Sequence, residues 1–152
     1  MSAVALAAAL GERPRQTVTI PGFAESAVLA LLIADDEDAL AHARLVFTVR
    51  RDDLRTHAGQ TSFPGGRRDP GDADLVATAL REAEEELGVP RDRVRVLGLL
   101  DDVPTPSQFV ITPVVGIAKS PLVLAPHLGE VAEVFDCSLA ELADPSRYRS
   151  DG

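Results

Sequence analysis

The residues Arg81-Glu82-Ala83-Glu84-Glu85-Glu86 place four carboxylates and a guanidinium within one short stretch, closed by Leu87-Gly88. Clusters of hard oxygen ligands suit Mg²⁺ or Mn²⁺, and a cation held there suits a phosphate-bearing ligand. As a bare helix face the run is unfavourable. Like charges at i,i+4 each cost a few tenths of a kcal/mol, and carboxylates near a helix C-terminus oppose the macrodipole. A bound divalent cation would remove both penalties, and local rules broken together tend to mark functional sites. A glutamate run is more commonly a solvated charged face. Context separates this one from that reading, because Gly65-Gly66 just upstream permits close backbone approach. Arg81 stands at i,i+4 from Glu85 and is within reach of it.

These carboxylates need a helix to present them. Asp72 or Asp74 caps it, Val76, Leu80, Ala83 and Leu87 form its core stripe, and Gly88 ends it. At about 100° per residue, Glu85 and Glu86 fall within about 60° of Glu82, so the three are expected along one edge. Around this helix the chain reads as strands. Ala27 to Ile33 is an apolar run of buried-strand length, and Arg44 to Arg50 carries β-branched and aromatic residues. A polar, Gly/Pro-punctuated stretch from Asp52 to Gly66 follows, read as a loop and a short extended piece. Val94 to Leu100, Phe109 to Ala118 and Val131 to Cys137 are further strands, the first two joined by Val103-Pro104-Thr105-Pro106. Strands met both as neighbours and across a helix predict an α/β (α+β) architecture, a mixed sheet sandwiched by helices, rather than a β-barrel.

The 152 residues fit one domain, 1–152, and a chain of this size buries roughly 70% of the surface exposed when unfolded. With 45% hydrophobic and 26% charged residues it is an ordinary globular sequence. A formal charge of −9 argues against a nucleic-acid surface, which depends on Lys and Arg. The lone Cys137 excludes an internal disulfide, is consistent with a reducing cytoplasm, and reads as a small buried filler. Ser2 to Leu10 is Ala-rich, has no preceding basic residue and is too short to span a bilayer. It reads as a helix ended by Gly11 to Pro14, with no membrane role.

The stretch from Gly65-Gly66-Arg67-Arg68-Asp69-Pro70-Gly71-Asp72 through Arg81-Glu82-Ala83-Glu84-Glu85-Glu86-Leu87-Gly88-Val89 resembles the Nudix box, with its Arg-Glu-x-x-Glu-Glu-x-Gly half fully matched. The glycine half is one residue longer than usual, and Asp72 stands near the usual first Glu. Upstream, Phe47-Thr48-Val49-Arg50, Arg55, His57, Gly59-Gln60 and Ser62-Phe63-Pro64-Gly65-Gly66 resemble the extra motif of the coenzyme A pyrophosphatase branch, although Arg51 stands where a small residue is usual. Together the two motifs span about residues 44–89.

The resemblance implies a Nudix-like α/β/α sandwich and a Mg²⁺- or Mn²⁺-dependent hydrolase. Glu82 and Glu86 would be metal ligands and Glu85 a third ligand or a neighbour of the ligands. Glu85 or a loop glutamate, Glu130 or Glu133, would be the general base. Arg50, Arg55, His57, Gln60, Gly65 and Gly66 would contact substrate, since Arg grips phosphate bidentately. The expected substrate is a small nucleoside diphosphate derivative, coenzyme A or its acyl forms. Two alternatives stand beside it: a hydrolase of another derivative, such as a dinucleotide or ADP-ribose, and a nucleotide-binding regulatory domain without turnover. Relatives of this branch usually continue beyond Ser138 to Leu142 into another helix. Its absence would leave one sheet face open and make a homodimer an option.

Overall fold

The apolar run near Ala27 grows into an eleven-residue strand, β1 (Ala24–Ala34), buried along most of its length. A strand apolar at successive positions must be covered on both faces. Ala27, Leu29 and Leu31 enter one core, while Ala30, Leu32 and Ala34 enter another on the opposite face. The computed structural model describes residues 1–50 and 61–147. Around β1 it arranges α1 (Ala3–Glu12), β2 (Arg44–Arg50), β3 (Thr61–Ser62), β4 (Gly65–Arg67), α2 (Leu75–Leu87), β5 (Arg95–Leu99), β6 (Val103–Pro104), β7 (Phe109–Lys119), β8 (Val131–Ser138) and α3 (Leu139–Ala143).

The sheet is mixed and open. β1 pairs in parallel with β7 over its whole length, from Ala24 opposite Phe109 to Ala34 opposite Lys119. Its other side is shared: β2 takes the C-terminal end, at Leu32 and Ile33, and β4 takes Ser26 to Val28, both antiparallel. This fork brings Gly65 and Gly66, which are strand residues rather than the turn expected from sequence, against the middle of the sheet. β5 and β6 pair along β7, and β8 pairs with β2.

Helix α2 covers one face, with Ala79, Ala83 and Leu87 packed among Leu29, Leu31, Val46 and Val114. On the other face lies α1, whose Ala3, Leu6, Ala7 and Leu10 meet Leu32, Leu97, Val115 and Ile117. The result is the α/β/α sandwich expected from sequence. The helix at the start of the chain runs through Gly11 to Glu12, two residues beyond its expected end, and Ser2 caps it by accepting from the Ala5 N–H. Gly98 lets it approach, since a Cβ there would lie 2.7 Å from Cβ of Leu10. The following segment is fastened by Arg13 to Asp101 and by Arg15 to Asp102, each at 2.7 Å. Part of the second face that sequence left uncovered is thus occupied by α1. Beyond α1, Phe47 stacks between Phe63 and Phe135 at centroid distances of 5.1 and 5.3 Å. Cys137 is half-buried rather than enclosed. Among the described residues no helix is long and apolar enough to cross a membrane.

Candidate active site

Helix α2 starts where Asp74, its side chain accepting from the Ala77 N–H at 2.8 Å, caps the first turn. It stops at Gly88, which adopts the left-handed conformation (φ 67°) that glycine tolerates best. Asp72, the other cap candidate, does something different. It is buried and accepts from Arg81 Nε at 2.9 Å, Arg81 Nη2 at 3.1 Å, the Thr78 hydroxyl at 2.8 Å and the Asp69 N–H at 2.9 Å. The Arg81 hydrogen bond is the main reason its carboxyl is held far below the usual range. Arg81 is fixed in turn. Its Nη1 donates to Glu82 at 3.1 Å and lies 3.2 Å from Glu85, and its Nη2 donates to the Arg67 carbonyl at 3.0 Å. The expected Arg81–Glu85 contact is present, but Asp72 is the anchor. The sequence signal for it was the position of Asp72 near the usual first Glu of the Nudix box.

The three carboxylates expected on one edge divide into a pair and an outlier. Glu86 is only 8% exposed and accepts the Gly65 N–H at 3.1 Å. Glu82, one turn earlier, lies directly over Gly66, where a Cβ would sit 2.6 Å from its carboxyl carbon. Glu85 points outward, its side chain 58% exposed against 15% for Glu82. The reason is tertiary: α2 packs on β4 as well as on β1, so the side of the helix that meets the glycines of β4 is enclosed.

Burial, more than anything else, raises the Glu86 carboxyl to about 8, helped by the charges of Glu82 and Glu130 and opposed by the Gly65 N–H and by Arg50. Glu82 is also raised, chiefly by burial, with Glu85 and Glu130 adding to the effect and Arg81 opposing it. Glu130 is exposed on the turn before β8, and its charge reaches both members of the pair. Glu133 is exposed on β8, opposite Val49. Arg50 ends β2 opposite Val131, and its buried Nε has no hydrogen-bond partner among the described residues. Arg55, His57 and Gln60 lie outside the described residues.

The two glycines are needed for different reasons, and substitution separates them. At Gly65 a Cβ would lie 2.7 Å from Cα of Val28, which is backbone and cannot yield. Gly65→Ala is expected to cost about 1–3 kcal/mol, the usual range for overpacking, seen as a lowered denaturant midpoint. At Gly66 the obstacle is the far end of a flexible side chain. Gly66→Ala is expected to leave the midpoint within about 0.5 kcal/mol of wild type while displacing Glu82 and lowering turnover at least about tenfold.

An open mixed sheet between helices, with an acidic helix laid over a glycine-bearing strand that pairs with the central strand, is the class of protein defined by fold and site. The chain belongs to the Nudix family: the NUDIX domain model matches residues 24–150. It is 46% identical over 104 residues to NudL, an uncharacterized Nudix hydrolase of Yersinia enterocolitica, an alignment covering 68% of this chain and 53% of that protein. The chain thus spans about half the length of the curated relatives it matches. In fold it resembles RenU, a Nudix hydrolase from M. smegmatis (TM-score 0.61, 24% identity, 76% of this chain and 70% of that one). It also resembles the NUDIX domain of Shewanella oneidensis NrtR, solved with ADP ribose (TM-score 0.58, 18% identity, 81% and 77%).

Nudix hydrolases generally need divalent metal ions. Among the described residues no three Asp, Glu, His or Cys side chains form a ready-made metal-binding group. The donor chemistry nonetheless fits. Glu82 and Glu86 are two hard oxygen ligands forced together at low exposure, both pushed toward the protonated form, which a nearby cation would reverse.

Proposed function

We propose that the chain is a single Nudix domain that hydrolyses the diphosphate bond of coenzyme A or an acyl-coenzyme A. The products are 3′,5′-ADP and phosphopantetheine or its acyl form, and Mg²⁺ or Mn²⁺ is the cofactor. The observation that carries this reading is the pairing of the Glu82 and Glu86 carboxylates against Gly65 and Gly66 of β4. In this assignment Glu82 and Glu86 hold the cation. A cation bound there would neutralise the diphosphate and make the attacking water more acidic.

The chain's own groups do the rest. The Gly65-Gly66 backbone lets the Glu82 and Glu86 carboxylates lie directly against it, as no residue with a side chain would. Arg81, locked by Asp72, holds Glu82 in place. Arg50 binds a phosphate oxygen; its guanidinium lies near enough to act on Glu86, and its unpaired Nε supports a role in which a ligand completes its hydrogen bonding. Glu130 takes the proton of the attacking water: it is exposed, and its charge reaches both ligands. Glu85, held outward by Arg81, is the weaker candidate for base or third ligand.

The choice of coenzyme A rests on the motif spanning Phe47 to Gly66, including Arg55, His57 and Gln60 as further substrate contacts. A small anionic substrate also accords with a net charge of −9, which disfavours nucleic acid. A second reading, hydrolysis of another nucleoside diphosphate derivative, is favoured by the ADP ribose held by the NrtR Nudix domain. Chromatography of products from coenzyme A, acetyl-coenzyme A, ADP-ribose and a dinucleoside polyphosphate, with and without Mg²⁺, decides between them. We expect metal-dependent release of 3′,5′-ADP from coenzyme A. No turnover of coenzyme A alongside cleavage of ADP-ribose would replace the first reading with the second.

A further inference from the structure

The loop between β7 and β8 is fastened to the end of the acidic helix by its backbone. The Ala125 N–H donates to the Leu87 carbonyl and the His127 N–H to the Glu86 carbonyl, both at 2.7 Å. These bonds satisfy carbonyls that a helix C-terminus leaves without partners. They also bring His127 alongside the residue whose carboxylate meets Gly65 of β4. The loop then doubles back: the N–H groups of Glu130 and Val131 both donate to the His127 carbonyl at 3.0 Å, and Val131 enters the sheet opposite Arg50.

Within this turn the His127 ring lies against Gly129. A Cβ on Gly129 would be 2.8 Å from Cε1 and 3.2 Å from Nδ1 of the imidazole. The Cε1–Nδ1 edge of the ring therefore meets backbone that has no side chain to displace it, while the residue as a whole is exposed. Leu128 beside it is 70% exposed. Only one other His or aromatic side chain among the described residues is exposed, His42, in the 3-10 turn Leu40–His42. The phenylalanines are all at least half-buried.

We propose that His127, seated on Gly129, is a stacking platform for the nucleobase of the bound nucleotide, with Leu128 as its apolar border. Planar bases stack on imidazole as on other aromatic rings, and a ring already held at its edge loses little freedom when a base covers a face. His127 is thus a specificity residue that touches the ligand away from the reacting bond. The inference rests on the nucleotide reading of this site but not on hydrolysis, so its test uses binding.

Calorimetry with Mg²⁺ present compares ADP, which carries a base, with inorganic pyrophosphate, which does not, on wild type, His127→Ala, His127→Phe and Gly129→Ala. The expected result is that His127→Ala weakens ADP binding about tenfold, the order seen for loss of one base–aromatic stack, and leaves pyrophosphate binding unchanged. His127→Phe should retain ADP affinity, and Gly129→Ala, by displacing the ring, should lower it. Equal ADP affinity in wild type and His127→Ala would overturn the proposal. So would an equal loss for both ligands, or no measurable ADP binding by wild type. Failure of the hydrolase reading shows separately, as ADP binding without turnover of any diphosphate substrate.

Discussion

Glu86→Gln is expected to lower metal-dependent diphosphate hydrolysis by at least about a hundredfold, the magnitude associated with losing a principal electrostatic element of an active site. Glu82→Gln should do the same. For Glu86 the loss of activity should come with a gain in stability, which separates it from ordinary damage. Its carboxyl sits at about 8 in the folded protein against an ordinary value of 4.5. Between those values the folded chain keeps a proton that the unfolded chain has released, so unfolding liberates a proton and stability falls as pH rises through this window. Below about 4.5 both states are protonated and the group is neutral in its effect. Above about 8 the full penalty of a buried, crowded carboxylate is present. Metal-free wild type should therefore lose denaturation midpoint between pH 5 and pH 8.5, and Glu86→Gln should flatten that decline. Mg²⁺ should restore wild-type stability most strongly at the alkaline end, where it no longer competes with a proton. Urea titrations at three pH values, with Mg²⁺ or with chelator, test this. A wild type that gains stability from pH 5 to 8.5 without metal would contradict the burial of Glu86 as a raised carboxyl.

Asp72→Ala is expected to be the most destabilising single change near the site. The Asp72 side chain is 5% exposed and that of Arg81 15% exposed, so removing the carboxylate strands a guanidinium against helix and turn. Breaking an enclosed ion pair from one side costs about 3–5 kcal/mol, and the low end applies because Arg81 keeps three other acidic partners, Asp69, Glu82 and Glu85. At this chain length a loss of about 3 kcal/mol lowers Tm by roughly ten degrees. Because the Asp72 carboxyl is held below its ordinary range, its contribution is present above that range and is lost only in strong acid. Activity should fall as well, since Arg81 also fixes Glu82 and the Arg67 carbonyl. Asp72→Asn, which keeps a hydrogen-bonding side chain against Thr78, should recover part of the stability. If Asp72→Ala melted with wild type, the anchoring role assigned to this carboxylate would be wrong.

Which parts of this arrangement could be read from sequence follows from the range over which each is determined. The acidic helix was legible because its caps and apolar stripe are local: Asp74, Val76, Leu80, Ala83, Leu87 and Gly88 lie within one stretch. Strands β2 and β8 were likewise read to within a residue, since their β-branched and aromatic runs end at clear breaks. The parallel pairing of β1 with β7 was not legible, because no turn joins these strands and 74 residues separate Ala34 from Phe109. Nor was the separation of Glu85 from Glu86. A helical projection treats both as near Glu82, but β4 and its glycines, placed by the fork in the sheet, enclose only one side of α2. The charge network around Asp72 depends on Thr78 and Arg81 facing back toward the loop, which spacing alone does not show: it offered Asp72 only as a cap. The role of α1 was missed in a similar way. Its Ala-rich sequence gave the helix, while the seat for Leu10 is formed by Gly98, far along the chain.

The most direct measurement is of cation binding itself. Mn²⁺ titrated at pH 8.5 into wild type and into the Glu82→Gln/Glu86→Gln double variant, with free Mn²⁺ followed by electron paramagnetic resonance, should show a bound ion in the first and at least about a hundredfold weaker binding in the second. Equal Mn²⁺ affinity in the two proteins, with the variant still folded, would contradict the assignment of this carboxylate pair as the metal site.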